Sequence, residues 1–200
     1  SMNPAKPTLF ITCLALVTTP ALAWECEHER NIERELDVGD ARELIVEAAA
    51  GDLEIKGVEG LELVRARAKI CASSEDWMNE AELLMEGGGS ARIATQLPRT
   101  DGMGWGSPFL LVPEAVNMVL EVPADLPLDV RDSSGDVEIS GVASLALRDS
   151  SGDIEVEGVL GDVILEDSSG DIDLLDIEGN VTVEQDSSGD IDGRGVHGMV

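Results

Sequence analysis

Asp149-Ser150-Ser151-Gly152-Asp153-Ile154-Glu155-Val156 opens with five residues that the chain uses four times. The other copies are Asp132-Ser133-Ser134-Gly135-Asp136, Asp167-Ser168-Ser169-Gly170-Asp171 and Asp186-Ser187-Ser188-Gly189-Asp190, at steps of 17, 18 and 19 residues. Each step contains a half-step: Gly152, Gly161, Gly170 and Gly179 lie nine residues apart. A fixed period of this kind marks stacked structural repeats.

Each half-step reads as one short strand. Ile154-Glu155-Val156, Val163-Ile164-Leu165, Ile172-Asp173-Leu174 and Val181-Thr182-Val183 follow the four glycines. Their outer members are apolar and the middle one is usually polar, the period of two expected of a strand with one buried face. Glycine every nine residues between β-branched runs makes a poor helix and a good strand-turn array. A strand buried on one side needs a second sheet opposite, and two strands per coil supply it. The expected fold is therefore all-β, a parallel β-helix or β-solenoid of 17–19 residues per coil. Val137, Ile154, Ile172 and Ile191 are predicted to line one inner face, Leu147, Leu165 and Val183 the other, and Val142, Val159, Ile177 and Val196 one corner. Burying each such side chain contributes about 1.5–3 kcal/mol. With aromatics at 2% and no tyrosine, the core has to be aliphatic and thin.

Turn chemistry accounts for the five-residue string. Glycine takes the left-handed conformation that closes a tight turn, and the leading aspartate can accept from the amides of the two serines after it. The stacking also aligns Asp132, Asp149, Asp167 and Asp186 in one column and Asp136, Asp153, Asp171 and Asp190 in a second. Like charges at about 5 Å repel by about 1 kcal/mol per pair in water-like dielectric, and calcium would relieve that. These eight aspartates are the candidate metal ligands. The spacing matches neither the nonapeptide calcium roll nor an EF-hand, and exposed carboxylates are cheaply solvated. No cofactor is expected, with calcium the ion the pattern leaves possible.

Outward from the array, residues 1–123 precede it. Met2 to Ala23 holds one Lys6, an apolar run from Leu9 to Val17 and Ala21-Leu22-Ala23, the pattern of a signal peptide cleaved before Trp24, with Ser1 as a tag remnant. The residues before Cys13 and Cys26 lack a lipoprotein pattern, and no transmembrane anchor is expected after cleavage. Three segments follow: the leader, 1–23; a mostly β N-terminal region, 24–123; and the repeat array, 124–200. Gly51-Asp52-Leu53-Glu54-Ile55-Lys56-Gly57-Val58 parallels Gly152 to Val159, so residues 32–70 are expected to hold strands of the same kind. Ser73 or Ser74 before Glu75 is a helix cap signal, and strands are expected at 83–85 and 91–97 around Gly87-Gly88-Gly89. The chain stops one strand into a new coil, which predicts either further chain or a partner over that edge.

Two cysteines remain after the leader, Cys26 and Cys71. In an oxidising compartment they are expected to pair, a link that the chain-entropy account values at about 4 kcal/mol. A metal or catalytic role lacks the usual spacing.

The net charge is −28, and −29 once Lys6 leaves with the leader. Such a surface repels nucleic acid and anionic lipid, leaving cations, basic surfaces and neutral glycans as partners. An enzyme of the polysaccharide-acting β-helix type needs a grouped acid/base pair. Here the carboxylates are spread by the repeat, with only Arg131, Arg148, Arg194 and His197 as basic company, so no enzyme is expected. Trp105 and Phe109, in a Gly/Pro-rich stretch, are the candidate aromatic binding surface, or else a cap on the apolar end.

The leader, the early Gly-Asp-Leu-Glu-Ile copy, the variable middle, the Leu126-Pro127-Leu128 entry and the serial Ser-Gly-Asp turns together resemble the DUF4097 family, an adhesin-labelled group. The resemblance runs from about Cys26 to the end. It implies an exported β-helical protein of the bacterial envelope, in the periplasm or at the cell surface, whose partner is an envelope protein or glycan. It carries over no catalytic residue. The function expected is a non-catalytic interaction module, with a calcium-binding structural repeat as the alternative and a glycan-acting enzyme behind both.

Overall fold

A computed structural model describes residues 26–72, 74–98 and 115–199. The leader, Ser73, Trp105 and Phe109 lie outside the described residues. In chain order the strands are β1 (His28–Asp37), β2 (Leu44–Glu47), β3 (Leu53–Val58) and β4 (Leu63–Ala72). The helix α1 (Glu75–Glu80) follows, then β5 (Glu82–Glu86), β6 (Ala91–Gln96) and β7 (Ala115–Pro123). The repeats supply β8 (Leu128–Arg131), β9 (Val137–Ser140), β10 (Leu145–Arg148), β11 (Ile154–Val159), β12 (Val163–Glu166), β13 (Ile172–Gln185) and β14 (Ile191–Met199). The protein is all-β and solenoid-like, with one six-residue helix among the described residues. Ser74 caps that helix, its Oγ accepting from the Trp77 amide at 3.2 Å.

Successive repeats pair in parallel and in register. Val137, Ile154 and Ile172 are aligned, as are Leu128, Leu145, Val163 and Val181. Two ladders result: β6-β2-β8-β10-β12-β13 and β7-β3-β9-β11-β13-β14. They join because β13 is one long strand that pairs with β11 through Ile172–Ile177 and with β12 from Val181 onward. Alternation buries the apolar residues of both ladders against each other, and Ile139, Val142, Val156, Val159, Val163, Leu165 and Ile177 are fully enclosed. A thin aliphatic core follows from strands that each bring two or three branched side chains.

The expected ladders weaken at β14, which pairs only with β13 among the described strands. Ile191 is 40% exposed, and Val183 and Val196 are only partly buried. The early copy behaves as a repeat: β2 pairs in parallel with β8, and β3 with β9. The rest of residues 32–70 does not. β1 and β4 run antiparallel to each other, and β4 is antiparallel to β7. Alternation alone cannot separate these cases, because both pairings present every second residue to the same face. The expected hairpin at Gly87–Gly89 is present, joining antiparallel β5 and β6. Cys26 and Cys71 form a disulfide, tying the start of β1 to the end of β4.

Candidate functional site

The eight aspartates of the repeats fall into two different environments. Asp132, Asp149 and Asp167 point inward and are 5%, 5% and 1% exposed. Asp186 is partly buried, whereas Asp136, Asp153, Asp171 and Asp190 are exposed. The inner set makes the expected turn bonds: Asp149 Oδ1 accepts from the Ser150 amide at 2.7 Å, and Asp167 Oδ1 from Ser168 and Ser169 at 2.6 and 3.2 Å. Asp186 Oδ1 accepts from Ser188 at 3.1 Å. Both oxygens of Asp132 and the second oxygens of Asp149 and Asp167 have no hydrogen-bond partner among the described residues. Burial first, then the charge of Asp149, pushes Asp132 up to about 7. Burial likewise raises Asp149 and Asp167, opposed by the serine amides beside each.

The outer set forms a hydrogen-bonded column of its own. The Asp153 amide donates to Asp136 Oδ1 at 3.1 Å, Asp171 to Asp153 at 3.0 Å and Asp190 to Asp171 at 2.9 Å. The column continues into the early copy, where the Asp52 amide donates to Asn117 Oδ1 at 3.2 Å. Each outer carboxylate thus holds the next turn in place. Among the described residues no group of three or more His, Cys, Asp or Glu side chains is arranged to hold a metal ion.

The outward faces of the two ladders differ in charge. On the β2-β8-β10-β12 face, Arg131 pairs with Glu47 and Asp129 at 3.2 and 3.3 Å, and Arg148 with Asp129 and Glu166 at 3.6 and 3.1 Å. Arg92 extends the chain to Glu47. Its charges are satisfied within the face, with Ile164 exposed beside them. On the other face, Glu54, Glu138, Glu155, Asp173 and Asp192 stand in register across β3, β9, β11, β13 and β14. Among the described residues only Asp192 of these five has an ion-pair partner, Arg194 at 3.1 Å. Sequence reasoning followed the Asp-Ser-Ser-Gly-Asp turns and missed this column: Glu155 and Asp173 stand as acidic middle residues in two strand trios, but their alignment with Glu54, Glu138 and Asp192 is set by the register. An open cleft of about 750 Å³ lies where β1, β4 and β7 meet the 124–127 turn, and carries Asp37, Asp40, Glu62 and Asp125 with Arg42.

Comparisons with known proteins agree with this architecture. A family model described as Toastrack DUF4097 matches residues 30–195. No curated protein matches the sequence. Among solved structures, a putative cell adhesion protein from Clostridium sporogenes superposes with a TM-score of 0.57 at 12% identity, covering 83% of this chain and 99% of that one. A putative lipid binding protein from Parabacteroides distasonis reaches 0.32 at 18% identity, over 85% of this chain and 96% of that one, too low a score to argue a shared fold.

Proposed function

The chain belongs to the Toastrack DUF4097 family, and on that premise we propose that it is a non-catalytic interaction module of the bacterial envelope or cell surface. We read its two ladders as the faces of a parallel β-solenoid with two strands per coil, exported by the 1–23 leader. The observation that carries the functional reading is the charge asymmetry of the outer faces. One face neutralises its own arginines and carboxylates, whereas the other presents Glu54, Glu138, Glu155 and Asp173 at a regular step without an ion-pair partner among the described residues. A repeating, charged surface suits an extended partner better than a small substrate. A basic protein segment or a neutral envelope glycan fits it, and nucleic acid does not. The adhesion named for the Clostridium structure supports this by analogy of fold. Against catalysis stands the spreading of the carboxylates into columns, since a reaction centre needs unlike groups converging on one point.

The test is binding of the purified protein to envelope proteins and to isolated cell-wall glycans. The Glu138→Gln/Glu155→Gln/Asp173→Asn variant is expected to lose about tenfold in affinity, while Ile164→Ala on the opposite face keeps it. Unchanged binding in the triple variant sends the site to the cleft or to Trp105 and Phe109. Glycan cleavage abolished by one carboxylate substitution would replace the reading with an enzymatic one.

A further inference from the structure

The binding faces make no use of the inner aspartates. Asp132, Asp149 and Asp167 occupy aligned positions in three successive coils, all more than nine-tenths buried. The serine amides satisfy one oxygen of Asp149 and one of Asp167, and four oxygens of the three carboxyls remain open. An ionised carboxylate held this way, with another behind it, is costly. A protonated carboxyl is a donor as well as an acceptor, so one proton between two neighbours converts a repulsion into a hydrogen bond.

Among the described residues no ion-pair partner stands beside the column. Arg131, Arg148 and Glu166, each one residue before an inner aspartate, turn outward and pair on the outer face. On the β2 side the position aligned with Asp132 is Ala48, flanked by Thr95, whose hydroxyl accepts from the Ala49 amide at 2.9 Å. Beyond Asp167 stands Asp186, another acid. Asp136, Asp153, Asp171 and Asp190 of the same turns are exposed and engaged with one another's amides.

We propose that Asp132, Asp149 and Asp167 form an internal proton-holding column, which makes the coil array responsive to pH: closed while the carboxyls share protons, loosened when they lose them. The direction follows from linkage. The folded chain keeps protons that the unfolded chain releases, so this stabilisation is complete below the ordinary aspartate value of 3.8 and is lost as pH rises through about 7, where Asp132 titrates.

The experiment is thermal unfolding of the protein from pH 5 to pH 9, read beside the Cγ resonances of labelled aspartate. The wild-type midpoint is expected to fall by about 5 °C or more over that range. In Asp149→Asn a permanent amide donor replaces the shared proton, and the fall should shrink to less than half. Glu155→Gln, which removes an equal charge from the outer face, should keep the wild-type slope. Equal slopes in wild type and Asp149→Asn overturn the proposal. So does a wild-type spectrum in which all three inner aspartates titrate below pH 5, a readout that stands even if the variant fails to fold. Millimolar calcium at pH 8 should leave the midpoint unmoved. A calcium-dependent rise that Asp149→Asn abolishes would make the column a cation site and overturn its assignment to protons.

Discussion

At the scale of single residues, the turn glycines are fixed by contact as much as by conformation. Gly152 has a φ of 139°, and a Cβ placed there would meet the Gly135 carbonyl oxygen at 1.8 Å. Gly60, at a φ of 72°, would meet nothing within 4 Å. Gly152→Ala is therefore expected to cost about 3–4 kcal/mol, from backbone strain plus overpacking, and Gly60→Ala about 1 kcal/mol, from strain alone. Urea unfolding of the two variants checks the difference, and equal losses would mean that coil contact contributes nothing. The sequence made these turns legible because glycine and Asx chemistry are local. The inner aspartates differ: the sequence reading expects them to be as solvated as the outer ones, and they are buried. The signal was present: Leu145 and Leu147 point inward, and the same period of two carried on to Asp149 points it inward as well. Aspartate ordinarily faces water, but strand alternation is set by the backbone regardless of side chain.

At the scale of an element, β13 shows how one irregular residue links two ladders. Asp176 is the one non-glycine residue with positive φ among the described residues, at 52°. Its equivalents in the neighbouring coils are glycines: Gly141, Gly158 and Gly195, at 67°, 66° and 66°. Asp176→Gly should therefore stabilise the protein by about 0.5–1 kcal/mol, the left-handed penalty less the added freedom of glycine in the unfolded chain. A lower urea midpoint would show that the Asp176 side chain does more than fill the turn. The strands themselves were readable from alternation. The antiparallel pairing of β1, β4 and β7 was not, because partner choice across tens of residues is set by the assembled sheet and leaves no mark in the local pattern.

For the whole molecule, the antiparallel layer and the parallel ladders belong to a single continuous sheet. The Cys26–Cys71 bond fastens the antiparallel flank. The double variant Cys26→Ala/Cys71→Ala is expected to lose about 4 kcal/mol by the chain-entropy account. Its unfolding should remain a single transition, because β4 and β3 both pair with β7, which carries the flank's ladder into the coils. A separate early transition confined to β1 would mean that the flank is an independent unit. The repeat made the parallel, in-register strand pairs legible because each copy states the same geometry again. The outer acidic column emerges only once the register is known, since it is a property of five strands together and of none alone.

The in-register stacking of like coils also has a mechanical consequence. A load along the stacking axis falls on the hydrogen bonds between one coil and the next, and these can separate coil by coil. The step from Asp149 to Asp167 is 18 residues, so each coil released lengthens the chain by about 60 Å while the stack shortens by about 5 Å. Under tension the array would release slack in even increments, as a tether that yields gradually where a single close-knit core would rupture at once.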